Sequence, residues 1–133
     1  KTNVIASNLT LINIEDNNQG LVKEAIFVAD EGLLTLKNSV VFGFKDFIMV
    51  KEFSSIEQYI KLQNVVVAHC DNNFKSLKKN DVLEIDLGYY FSRNNIKLSN
   101  GLIKDYFMNS DISSSPDFRY LKIERTNKII VNK

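Results

Sequence analysis

The sequence predicts a mainly β fold of the α+β type: a curled antiparallel sheet or small barrel of about eight short strands with two short helices, in a single domain spanning residues 1–133. Three observations carry this expectation. Apolar and polar residues alternate at period two through most of the chain, as they do in half-buried strands. Clusters of Asn, Asp, Lys and Ser interrupt the alternation at short intervals, as turn residues do. The single proline, Pro116, stands in a Ser-rich stretch outside the alternating segments.

Val4 to Ile14 reads as a first strand with Leu9 and Leu11 on one face, closed by the turn Glu15–Gly20. Leu21 to Ala29 fits a helical stripe through Leu21, Ala25 and Val28, or a strand face through Ala25, Phe27 and Ala29; we take the strand. Leu33–Leu36, Ser39–Phe44 and Phe47–Phe53 form three short strands, separated by Lys37-Asn38 and Lys45-Asp46, with Val40, Phe42 and Phe44 sharing one face. Ser54 followed by Glu57 makes a capping box and starts a helix to about Leu62.

Asn64–Cys70 is a β-branched run followed by turns at 71–73 and 78–81. Leu83, Ile85 and Leu87 alternate with Glu84 and Asp86 in the next strand, and Gly88 marks a bulge or corner before Tyr89-Tyr90-Phe91. Ile96 and Leu98 end that hairpin. Leu102, Ile103, Tyr106 and Phe107 are spaced as one face of a two-turn helix, Ser113–Pro116 is a loop, and Phe118–Glu124 pairs with Lys128–Val131. No internal repeat or low-complexity tract stands out.

The composition is that of a globular protein, 44% hydrophobic and 25% charged, and a chain of 133 residues is long enough to bury a real core. Basic and acidic residues nearly cancel at a formal net charge of +1, so no long-range field favours nucleic acid or an anionic membrane. The one basic concentration, Lys75, Lys78 and Lys79, lies beside Asn-rich turns and reads as a solvated loop. The single cysteine leaves the redox compartment open. No stretch approaches the ~20 apolar residues that span a bilayer. Because the sequence begins at Lys1 and not at Met, a leader or anchor is expected upstream.

Histidine and cysteine occur once each, as the neighbours His69-Cys70. Adjacent residues in a strand point to opposite faces, so this pair cannot form the contact that activates a thiolate. The chain also has no Gly-rich phosphate loop, paired-cysteine motif or histidine-containing metal motif. We therefore expect no catalytic residue, no metal and no cofactor, and keep His69 and Cys70 only as candidate pH- or redox-sensitive positions. Phe42, Phe44, Tyr89, Tyr90 and Phe91 divide between core and surface, and they are the candidate contacts for a partner or an apolar ligand.

The run Val82-Leu83-Glu84-Ile85-Asp86-Leu87-Gly88-Tyr89-Tyr90, the apolar stretch Leu102 to Asn109 and the closing segment Phe118 to Val131 resemble the ToxS and PsaF type of periplasmic accessory protein. In that group an acidic, aromatic strand, a helix and a terminal hairpin occur in similar order, with a Trp where this chain has Leu83. The resemblance implies a lipocalin-like barrel that is the periplasmic domain of an inner-membrane protein, anchored through a segment before Lys1. It also implies a non-enzymatic chaperone role: a heterodimer with the periplasmic sensor domain of a membrane-bound transcription activator, stabilising it and helping it respond to an envelope signal. Some members of the group hold a small apolar ligand. Nucleic acid would not be contacted directly. Two other readings stay open on the residues alone: a cytoplasmic inhibitor such as a toxin-immunity protein, and a free-standing binder of a small apolar ligand.

Overall fold

Four asparagines, Asn8, Asn38, Asn64 and Asn95, hold left-handed backbone conformations with φ of 52–59°, a region that asparagine tolerates better than other residues with a side chain. They recur at intervals of 30, 26 and 31 residues, and the strands are arranged about them. The computed structural model describes residues 2–13, 23–29, 31–101, 103–109 and 117–120. The chain divides into two compact units, Lys1–Ser99 and Asn100–Lys133.

In the first unit, β1 (Asn3–Ser7) and β2 (Thr10–Ile12) lie parallel to the two halves of β4 (Leu33–Phe42) on either side of Asn38. β6 (Ile60–Ala68) follows β4 along its length, with Leu34 opposite Ile60 and Phe42 opposite Ala68. β8 (Ile96–Ser99) pairs with the second half of β6. A second sheet stacks β3 (Glu24–Val28), β5 (Asp46–Val50) and β7 (Asn72–Ser76), again all parallel. The chain thus winds in successive coils, β3 then β4, β5 then β6, β7 then β8, alternating between the second sheet and the first, with β4 and β6 bent at Asn38 and Asn64 and β8 starting after Asn95.

This replaces the expected antiparallel sheet or barrel with open, parallel sheets. Alternation at period two fixes which side chains face in, but it does not report strand direction. The Lys37-Asn38 pair, read as a reversing turn, is a bend at one left-handed residue inside a continuous strand. Ser39–Phe42 and Val65–Ala68 are buried at every position, and apart from Ser39 they are the continuous apolar run of a parallel strand covered on both faces. The asparagine recurrence is also an internal repeat, which unequal spacing hides in the sequence.

Backbone pairing continues round the next corner, where Asn13 N–H donates to Phe42 O, Gly43 N–H to Ala68 O and His69 N–H to Ser99 O at 2.9–3.0 Å. Gly43 has φ +87°, and a Cβ there would lie 2.1 Å from Asn13 O. Only glycine lets the two coils come this close.

The remaining connection, from the second sheet back to the first, differs in every coil. In the second coil it holds a 3₁₀ turn (Phe53–Ser55) and α1 (Ile56–Tyr59). The expected capping box is not made there: Ser55 is the N-cap residue without a capping side chain, and its Oγ donates to Glu52 O at 2.8 Å. Asp81 instead secures this turn, accepting from Phe53 N–H and Ser76 Oγ–H, each at 2.7 Å. The helix expected to reach Leu62 stops at Tyr59, and β6 begins at Ile60.

In the third coil, the strand expected across Val82–Tyr90 is a loop followed by α2 (Leu87–Arg93). Asp86 caps that helix by accepting from Tyr89 N–H at 3.1 Å. Gly88 lies inside the helix and marks no bulge.

The core of this unit is the inward row of each coil. Leu36, Val41, Phe47, Ile48, Ile56 and Ile60 are at most 2% exposed, each worth ~1.5–3 kcal/mol of burial. Two polar side chains are buried with them, both partnered. Ser39 Oγ accepts from Leu9 N–H and donates to Lys37 O, and Asp46 Oδ1 accepts from Asn72 Nδ2 on the next strand at 2.7 Å.

In the second unit a 3₁₀ turn (Ile103–Asp105) precedes β9 (Phe107–Asn109), which pairs antiparallel with β10 (Asp117–Tyr120). The helix expected over 102–109 is thus a single turn and a strand. Gly101 N–H donates to the hydroxyl of the buried Tyr106, and Phe107 meets Phe118 edge-on at 5.5 Å. The turn Glu15–Gly20, the loop Ser113–Pro116 and the strand Lys128–Val131 lie outside the described residues. Among the described residues, no helix is long and apolar enough to cross a membrane.

Candidate functional site

The residues singled out from the sequence do not meet in one place. Phe42 ends β4, buried, with its ring 5.2 Å from the His69 imidazole. His69 is exposed and sits at a coil corner with φ +54°, so it is a corner residue and not a strand residue. Phe44 belongs to the core, and Cys70 packs half-buried against it. Burial pushes the Cys70 thiol above its ordinary range, against weaker lowering by backbone contacts with Phe44 and Gly43.

Tyr90 and Phe91 face inward from α2 and surround Phe74, with ring centroids 5.8–6.3 Å apart. Burial pushes the Tyr90 phenol up to about 12, with Arg93 partly opposing that shift. Its hydroxyl donates to Ile60 O at 3.0 Å, and Asn64 N–H donates to Asn94 O just beyond the helix. Helix α2 therefore takes the place, beside the first half of β6, that a strand of the third coil would hold. Of the five candidate aromatics only Tyr89 faces solvent, at 62% exposure.

This substitution of helix for strand opens a groove. Its floor is the outward row of β4 and β6, where Thr35 and Lys37 alternate with the buried Leu34 and Leu36, and Lys61 and Gln63 with Ile60 and Leu62. Its wall is Arg93, Asn94 and Asn95 at the end of α2, and Asn64 completes it; the groove is open to one side and its volume is about 470 Å³. Lys37 and Lys61 are on neighbouring strands two positions out of register, which places their backbones roughly 8 Å apart.

Lys37, Lys61 and Arg93 line this groove, and no carboxylate among the described residues does. The side chains of Lys37 and Lys61 form no ion pair among the described residues. Arg93 is held by packing: its guanidinium lies 5.3 Å from the Tyr89 ring centroid and 6.0 Å from that of Tyr90. Cation–π contact of this kind leaves the planar donors free for a second partner. The amide groups are partly committed. Asn64 Nδ2 donates to Asn38 Oδ1, Asn95 Nδ2 to Asn64 Oδ1, and Asn94 Nδ2 to Tyr90 O at 2.7 Å.

None of the three cations was among the residues the sequence singled out. The basic cluster Lys75, Lys78 and Lys79 does not line this groove, and Lys78 pairs with Glu52 at 3.6 Å across exposed side chains. Such a pair contributes at most ~1 kcal/mol. The described residues contain no group of His, Cys, Asp and Glu able to hold a metal ion. No family model matches the chain, and no curated protein or solved structure is similar to it.

Proposed function

We propose that this chain is a non-enzymatic binding module that takes an anionic ligand into the groove between β4, β6 and the end of α2. The observation that carries the reading is the meeting of Lys37, Lys61 and Arg93 around a volume that no carboxylate among the described residues lines. At about 470 Å³ the groove is the size of a small-molecule site.

Tripolyphosphate is a suitable probe. Titrated into the full chain at physiological salt, it is expected to shift the amide signals of Lys37, 61–64 and 93–95. The shifts should vanish in the Lys61→Ala/Arg93→Ala variant. Shifts of equal size in that variant, or shifts spread over all the surface lysines, would overturn the reading.

A second reading is favoured by Leu77, Val82 and Tyr89, which are 59%, 72% and 62% exposed on the connection from β7 into α2. Exposed apolar side chains close together in sequence fit a protein partner. The partner would be the periplasmic sensor domain of a membrane-bound transcription activator, as the ToxS- and PsaF-type resemblance implies. Co-expression with the regulator encoded beside this chain tests it. A 1:1 complex with a raised unfolding temperature, weakened by Tyr89→Ala, is expected; recovery no better than with unrelated domains would remove this reading.

A further inference from the structure

We infer that the ligand of the groove is an anionic sugar, a hydroxyl-rich ring bearing a carboxylate, sulfate or phosphate. The inference rests on the anion reading above and deepens it. A sulfate ion, or a polyphosphate with at most a terminal proton, offers almost only acceptors and needs mainly donors in return. This groove presents donors and acceptors side by side. Thr35 and Gln63 bear a hydroxyl and an amide on its floor, and neither side chain has a bonding partner among the described residues. Asn94 is held through Nδ2 on Tyr90 O, which leaves its Oδ1 as an oriented acceptor in the wall. Sugar hydroxyls both donate and accept, and they match such a mixed lining.

Tyr89 supplies the second element. Its ring adjoins the guanidinium that lines the groove, yet it is 62% exposed and so keeps surface free for a ring face. An aromatic ring beside a fixed guanidinium receives the C–H face of a pyranose and the charged substituent of the same residue together. Single-stranded nucleic acid also stacks on aromatic rings, but it requires a run of them along a continuous basic track. Here one exposed ring, Tyr89, adjoins the groove cations, and the chain has a net charge of +1.

The test measures affinity for four probes by the amide shifts of the full chain: trigalacturonate, a heparin-derived disaccharide, tripolyphosphate and neutral maltotriose. At least one charged sugar should bind about tenfold more tightly than tripolyphosphate, the size of one added ring contact. Which of the two binds separates carboxylate from sulfate as the source of the charge. Tyr89→Ala should erase that advantage, lowering charged-sugar affinity about tenfold more than tripolyphosphate affinity, which falls only as far as Arg93 loses its contact with the ring, and Tyr89→Phe, which keeps the ring face, should restore it.

If tripolyphosphate binds as tightly as both charged sugars, or if Tyr89→Ala lowers neither sugar affinity, the sugar inference is overturned while the anion reading stands. If no anion binds, both fall. If maltotriose binds as tightly as the charged sugars, the anion requirement fails.

Discussion

Asn95 donates its side-chain amide to Asn64 Oδ1 at 2.6 Å, one coil away, and Asn64 repeats the bond to Asn38 at 3.1 Å. The left-handed backbone at each position turns the side chain along the stacking axis, so conformation and hydrogen bond depend on the same residue type. Asn64 is the middle member and takes part in both bonds.

Asn64→Ala is therefore expected to cost about 2 kcal/mol, from left-handed strain of about 1 kcal/mol and two exposed hydrogen bonds of about 0.5 kcal/mol each. Asn64→Gly keeps the backbone conformation and should cost about half as much. Urea midpoints of the two variants check the order; an alanine variant as stable as the glycine variant would remove strain from the account.

At the next corner, Gly43→Ala should be more severe than either. A Cβ would lie 2.1 Å from Asn13 O, and both atoms are fixed by backbone pairing of adjacent coils. A loss of about 3 kcal/mol or failure to fold is expected, read from soluble yield and the thermal midpoint.

Tyr90→Phe removes the hydroxyl that donates to Ile60 O and should cost about 1–2 kcal/mol at neutral pH. Its alkaline behaviour is a separate test. Burial raises the folded-state phenol from 10.0 to about 12, so the folded state resists ionisation that the unfolded chain undergoes freely. That contribution is complete below pH 10 and is lost as pH rises from about 10 to about 12. The decline of the urea midpoint over this window should be shallower in Tyr90→Phe than in the parent; parallel declines would contradict the assignment.

Cys70 is half-buried and its thiol is shifted upward by burial. Only the thiolate reacts, so an aromatic disulfide reagent at neutral pH should label the native protein much more slowly than the urea-unfolded chain. Equal rates would show that the thiol is open to solvent.

Much of the secondary structure was legible in the sequence, because alternation such as Leu34, Leu36 against Thr35, Lys37 directly reflects an inward and an outward face. Strand direction was not. The signs of it were the runs Val40–Phe42 and Val65–Ala68, apolar at consecutive positions, together with an asparagine shortly before each. Those asparagines resemble ordinary turn residues, and their intervals of 30, 26 and 31 residues vary because each coil returns by a different connection. Helix α2 was read as strand since Tyr89-Tyr90-Phe91 has high β propensity, and the burial of Tyr90 and Phe91 against Phe74 outweighs it. The groove was invisible for a simpler reason. Lys37, Lys61 and Arg93 are ordinary surface cations until the parallel register and the displaced third-coil strand bring them to one edge.

The stacked asparagines repeat at one strand spacing, about 4.8 Å, in parallel and in register. Amyloid fibrils build the same ladder of identical amides from many separate molecules, where it forms only above a threshold concentration. Here the rungs are joined by a covalent link, 26 residues from Asn38 to Asn64. The register is therefore a property of a single molecule, and dilution does not dissolve it.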